Sequence, residues 1–188
     1  MAASPVELCN SALIKIGQER ILSLDDNSKT GLLCKQRYEP IRDEMLASHP
    51  WNFALVRSDL LGELAASPEW GFSRAFQLPA DCLRVLKTDL LVEDDFKVEH
   101  DAILCDAEFL KILYIRRITD TTKFRPYFDN ALAWRLAGEL AYSFTQSITV
   151  ADNCAKQFAL AISQARSFDA QEGRPDRITA SSWLNSRL

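Results

Sequence analysis

The chain has 188 residues, 47% of them hydrophobic and 26% charged, with a formal net charge of −4. That length can bury one sizeable core or two small connected subdomains, and the composition is that of an ordinary globular protein. The acidic balance argues against a grip on nucleic acid through a basic face, and no apolar run approaches the ~20 residues that span a bilayer.

The opening MAASPVELC has no basic stretch followed by an apolar core, so no signal peptide is read there. Ser4-Pro5-Val6-Glu7 has the form of a capping box with proline at the first helical position. Leu8, Cys9, Ala12, Leu13 and Ile16 follow at helical spacing, and Gly17 falls where a helix would end. A loop over 18–27 leads to cap candidates from Asp25 to Ser28. A second helix is expected over 29–48, with Cys34, Tyr38, Ile41 and Met45 on one face. Pro40 lies inside it and is expected to kink or break it. Pro50 closes it, because proline disfavours helix at His49.

From Trp51 to Thr119 the period changes to that of strands. Trp51-Asn52-Phe53 feeds two aromatics into a run that reads as strand. Phe72, Arg74, Phe76 and Leu78 alternate with Ser73, Ala75 and Gln77; Leu83, Val85 and Lys87 alternate with Arg84 and Leu86. Pro79-Ala80-Asp81 is a turn, residues 96–105 read as a hairpin about His100-Asp101, and 110–118 is apolar on both faces, as a central strand would be. Five or six short antiparallel strands are expected. Helical period returns after Pro126, with Phe128, Leu132, Leu136, Leu140 and Phe144 four apart beside Ala133, Ala137 and Ala141. Arg135 and Glu139 can pair along that helix. Thr149 to Asp152 suggests a further cap, opening a helix with Ala151, Cys154, Ala155, Phe158, Ala161, Ile162, Ala165 and Phe168 on one face and Gly173 beyond its end.

The expected fold is therefore α+β: an antiparallel bundle of four main helices (1–50 and 120–173), an inserted small antiparallel β-sheet (51–119) and an extended C-terminal tail (174–188). Taken alone that tail is flexible, yet Trp183, Leu184 and Leu188 also suit a docking peptide.

Motifs for chemistry are missing: there is no GxxxxGK[ST], GxGxxG, GxSxG or HExxH. The scattered cysteines Cys9, Cys34, Cys82, Cys105 and Cys154 form no CxxC pair and read as reduced, with the four other than Cys82 in apolar surroundings. With only His49 and His100, a histidine metal site is not expected. Glu93-Asp94-Asp95 lacks the spacing of a calcium loop and reads as a solvated turn. Arg42, Asp43 and Glu44 near His49 read as a surface salt-bridge cluster, since Asp43 and Glu44 point to different faces of a helix. Lys111, Arg116 and Arg117 are expected to pair between subunits, not with nucleic acid. Trp51 and Phe53 are expected to fill a joint between bundle and sheet, with Tyr38 and Pro50 beside them. No catalytic, cofactor-binding or metal residues are assigned.

The segment His49-Pro50-Trp51-Asn52-Phe53-Ala54 resembles that of the head-to-tail adaptors of short-tailed bacteriophages, the tail tubular protein A family. The likeness takes in Leu8 to Leu13 with Ile16-Gly17, Ile21 to Ser28, Tyr38 to Leu46, Gly71-Phe72, Leu78 to Val85, Tyr114-Ile115, Thr119-Asp120, Phe124 and the helix from Phe128 to Ala141. The resemblance implies a virion structural protein, made in the host cytoplasm: a ring of about twelve identical subunits between portal protein and tail nozzle protein, closed by head-to-tail contacts. Genomic DNA would pass through its lumen without sequence-specific binding, and an acidic lumen suits that passage. The tail, through Arg174, Arg177, Trp183, Leu184 and Leu188, would reach the portal. Neither a cofactor nor a membrane is implied. Related connectors occur in long-tailed phages and gene-transfer particles. Some short-tailed adaptors are credited with peptidoglycan hydrolysis during infection, for which this chain offers only unassigned carboxylates such as Glu44 and Glu139. A cellular regulatory adaptor with the tail as docking peptide is a third reading.

Overall fold

The computed structural model describes residues 4–58, 62–64, 68–90 and 96–173. Glu93-Asp94-Asp95 and the whole of 174–188, with Arg174, Arg177, Trp183, Leu184 and Leu188, lie outside the described residues. The chain is α+β. Its four described helices are α1 (Pro5–Lys15), α2 (Lys29–Ala47), α3 (Pro126–Thr145) and α4 (Ile148–Gln171). Between α2 and α3 lie β1 (Leu55–Ser58), β2 (Arg74–Gln77), β3 (Cys82–Thr88), β4 (Phe96–Glu99), β5 (Ala102–Cys105) and β6 (Ile112–Arg116).

The helix ends follow local chemistry. Ser4 Oγ accepts from the Glu7 amide at 3.2 Å and Glu7 returns a carboxylate to the Ser4 amide at 2.8 Å, a complete capping box. At the other end Gly17 adopts φ 72°, and the Gln18 and Gly17 amides close on Leu13 and Ile14 carbonyls at 2.9 and 3.1 Å. Ser28 caps α2. Pro40 does not break that helix: it stands on the exposed side with Gln36, whose carbonyl loses its intrahelical donor but faces water. The α4 cap is Ser147, not Thr149. Gln146 ends α3 in the left-handed conformation at φ 50°, leaving Ser147 extended with its hydroxyl on the Val150 amide, so the helix opens at Ile148.

The strands form two antiparallel three-stranded sheets, in the orders β1-β6-β3 and β2-β5-β4, where one sheet was expected. Trp51 to Phe53 is not strand. A single 3-10 turn (Asn52–Ala54) separates Trp51 from β1. The strict alternation read for β3 also fails. Bulges between Cys82 and Arg84 and between Val85 and Lys87 reset the pleat, so Leu83 and Leu86 face one side and Cys82 and Val85 the other. The β4–β5 hairpin turns at His100, φ 51°.

Helix α3 packs against α1, α2 and α4, and α2 touches β3 and β6. Most of its length is buried, from Phe128 to Ala141. The main core joins these helices to Trp51, Ala54, Ile115 and Ile118; a smaller core holds Phe76, Ile103, Cys105, Leu110, Ile112 and Tyr114. Strand β6 serves both, Ile115 facing the helices and Ile112 and Tyr114 the second cluster, which is why its sequence is apolar on both faces. All five cysteines are free, and Cys9, Cys34, Cys105 and Cys154 are buried. The face expected of α4 is only partly covered: Cys154, Ala161 and Ala165 are buried, Ala155 and Phe168 exposed.

Gly31 is where the first loop presses on α2. A Cβ there would stand 2.5 Å from the Asp26 carbonyl oxygen and 2.9 Å from Asp26 Cβ. Helix propensity alone favours alanine over glycine by about 1 kcal/mol. We expect the opposite sign for Gly31→Ala, a loss of about 1–3 kcal/mol in urea denaturation as the loop is pushed off. A variant as stable as the parent would contradict this packing.

Candidate functional site

The segment after α2 is fixed by hydrogen bonds to a residue far along the chain. Pro50 disfavours helix at His49, so α2 does not run on past this point, and the Trp51 amide bonds back to the His49 carbonyl at 2.8 Å. The indole of Trp51 enters the main core with no exposed surface, and its Nε1–H donates to the Met45 carbonyl at 2.9 Å. Around it lie His49 (4.6 Å between centroids), Phe128 (5.2 Å), Phe53 (6.1 Å) and Tyr127 (6.3 Å). Phe53 packs edge-on to Phe128 at 5.2 Å, and Phe124 sits 4.9 Å from Phe128.

Asp169, in the last turn of α4, is the polar centre of this aromatic cluster. Its carboxylate is buried, and Oδ1 accepts from the Asn52 backbone amide at 3.0 Å and the Tyr127 hydroxyl at 3.3 Å. Oδ2 lies 3.1 Å from His49 Nε2. In the tautomer that carries its proton on Nε2, the ring donates to this oxygen. The Asp169 carbonyl accepts from the Asn52 side-chain amide at 2.6 Å. Glu172 extends the set, 3.4 Å from the Tyr127 hydroxyl and 3.8 Å from Arg125. Burial, followed by the two carboxylates, holds the Tyr127 phenol well above its ordinary range. Burial lowers the His49 imidazole below its ordinary 6.5; Asp169 pulls the other way but does not win, and Arg84 and Arg166 add to the lowering.

Of the four residues assigned to a joint, Trp51 and Phe53 form the aromatic cluster. Pro50 is exposed at the rim of a cleft of about 790 Å³, whose other walls include Asn52, Arg57, Lys87, Lys111 and Leu113. Tyr38 is buried further up α2, its ring 5.8 Å from the Arg42 guanidinium and its hydroxyl without a hydrogen-bond partner among the described residues. The five tail residues lie outside the described residues.

The acidic and basic residues near His49 separate. Arg42 is buried, not on the surface, and bonds Asp43 at 2.9 Å. Asp43 also takes Arg117 at 2.9 Å, while Glu44 turns to Arg135 of α3 at 3.1 Å. Arg135 also holds Glu139 at 3.2 Å, so the two carboxylates once left unassigned share one guanidinium. Arg116 pairs with Asp81 at 2.7 Å and Arg117 with Asp43 at 2.9 Å, so both cations have an acidic partner within the chain. Among the described residues no group of three His, Cys, Asp or Glu side chains is placed to hold a metal ion.

Sequence reading missed Asp169 as the shared partner of His49, Asn52 and Tyr127. The available signal was an aspartate at an otherwise apolar position: Ala161, Ala165 and Asp169 lie four apart, on one face of α4. No protein-family model matches the chain, and no curated protein matches it in sequence.

Two outcomes follow. Trp51→Ala removes a fully buried indole and is expected to cost about 3–5 kcal/mol in chemical denaturation; a loss under about 1 kcal/mol would mean that the cluster closes without it. The pH dependence is set by the lowered value of His49. The unfolded chain takes up a proton below about 6.5 while the folded chain resists, so this group's contribution is whole above about 6.5 and drains as pH falls through the folded value. His49→Gln keeps an N–H for Asp169 without titrating. Between about pH 7.5 and 5.5 the parent should lose more thermal stability than this variant, and an equal or greater loss in the variant would refute the assignment.

Proposed function

We propose that the chain is a head-to-tail adaptor of a bacteriophage virion. Its helices, arranged as an antiparallel bundle (1–50 and 120–173), would form the body of a ring of about twelve copies on the portal. The strand region (51–119) would project toward the tail nozzle, residues 174–188 would reach the portal, and DNA would pass through the lumen.

The observation that carries the reading concerns the most specific stretch of the family resemblance, His49 to Ala54. It forms a rigid joint: Trp51 is wholly buried and Asn52 is held twice by Asp169. The hydrogen-bonding capacity of Asp169 is taken up by the chain's own donors, which fits a load-transmitting joint better than a reaction centre. A second support is the apolar surface that the helices leave open. Ile14, Leu32, Tyr142, Ile148 and Leu160 are all between 48% and 69% exposed, an amount suited to subunit contacts. A head-to-tail ring requires two different complementary faces on each copy.

The test is to mix the purified chain with purified portal protein and examine the product by electron microscopy and mass measurement. A ring of copies on the portal is expected, with little self-association when the portal is left out. The reading fails if the two never associate and particles lacking this protein still retain DNA and attach tails.

A further inference from the structure

A second feature lies one helical turn from Asp169. Between the start of α3 and the last turns of α4 runs a groove of about 440 Å³, lined by Pro126, Tyr127, Asn130, Ala161, Ala165 and Phe168. Its floor is small, with Ala161 and Ala165 buried, and its walls are aromatic. Phe168 is 54% exposed and stacks on Tyr127 at 6.1 Å between centroids. A neutral slot with an alanine floor and aromatic walls suits one large, flat apolar side chain with an aliphatic neighbour.

The chain carries such a pair close by. Helix α4 ends at Gln171, and the residues beyond Gly173 include Trp183-Leu184 in an otherwise polar run. Ten residues of extended chain reach about 33 Å, whereas the groove lies within about 18 Å of Gly173, measured back along α4 to Ala161. The segment is long enough to double back and too short to stray. A tether this short holds its end at an effective concentration of about 1 mM.

We propose that this groove is the seat of the chain's own Trp183-Leu184 pair, bound in cis, and that the tail is thereby held closed until the portal competes for it. The identity of the competitor rests on the adaptor reading. The seat itself is a property of the isolated chain.

The probe is a fluorescently labelled peptide of residues 174–188, titrated into two full-length proteins: the parent and the double variant Trp183→Ala/Leu184→Ala, whose groove is unoccupied on this proposal. If the peptide binds the double variant with Kd near 100 µM, a tether at about 1 mM closes the parent groove about tenfold, so the parent should bind the peptide about tenfold more weakly. Adding Phe168→Glu to the double variant should abolish binding. Adding Asn153→Glu, exposed on the same helix outside the groove, should leave it unchanged. Amide exchange across 161–168 should be slower in the parent than in the double variant, a readout that needs no groove substitution. Equal peptide binding by parent and double variant, or none by the double variant, overturns the cis seat. Success of these arms with failure of portal to release the tail would overturn the adaptor reading and leave the seat standing.

Discussion

One buried carboxylate ties the last turn of α4 to the segment after α2 and to the start of α3. Asp169 is reached by three donors from two places: the His49 ring and the Asn52 amide just after α2, and the Tyr127 hydroxyl at the start of α3. An ionised group removed from water is costly unless its lone pairs are filled, and removing its partners costs several kcal/mol. The joint therefore has one favourable arrangement, with all three donors in place. Much follows from it. The chain leaves α2 at a fixed angle, Trp51 is steered into the core and β1 starts where β6 can receive it, Leu55 opposite Ile115. The strength of the device comes from the unfavourable alternative more than from any single bond.

The second constraint is the sharing of β6. Its neighbours β1 and β3 cover its edges, the helices cover one face and the second sheet's cluster covers the other. A strand so enclosed transmits position between the two cores, since a slip of one residue would exchange Ile115 with Tyr114. The bulges in β3 fit that demand. They let an irregular edge strand present Leu83 and Leu86 to the helices and still pair with a regular partner.

The helices were legible because their signals are local. The Ser4 box, the Gly17 stop, the Ser28 cap and the four-residue rows of α3 each depend on residues within a turn or two. What was not legible depends on partners distant in sequence. Pro40 is tolerated because of which side of α2 faces water, and the β3 bulges follow from what lies above and below the strand. Two sheets in place of one is a matter of pairing, which a hairpin pattern does not reveal. The site was half legible. Trp51 and Phe53 announce a core by size and type, but Asp169 lies 120 residues from His49 and 117 from Asn52. Charge invited a grouping of His49 with Asp43 and Glu44, and helix geometry parted them. Those two carboxylates answer to Arg117 and Arg135.

Tyr127 connects the joint to the groove beside it. Its single hydroxyl proton goes to Asp169, with Glu172 as the alternative acceptor, while its ring stands between Trp51 on one side, 6.3 Å away, and Phe168 on the other, 6.1 Å away. Three stacked rings thus run from the fully buried interior to an exposed wall of the groove. The hydrogen bonds fix the ring's position whether or not anything fills the slot, so the groove is preformed and a ligand entering it does not have to order Tyr127. The same arrangement limits what a ligand can do to the joint. An occupant that touches only the outer face of Tyr127 and Phe168 meets the same surface whichever way the His49 proton stands, and so has no differential affinity with which to shift it. The joint and the groove share a residue, yet on the proposed cis seat tail release and joint integrity would be separate equilibria. An adaptor of the proposed kind, whose tail must move while its body stays rigid, requires that separation.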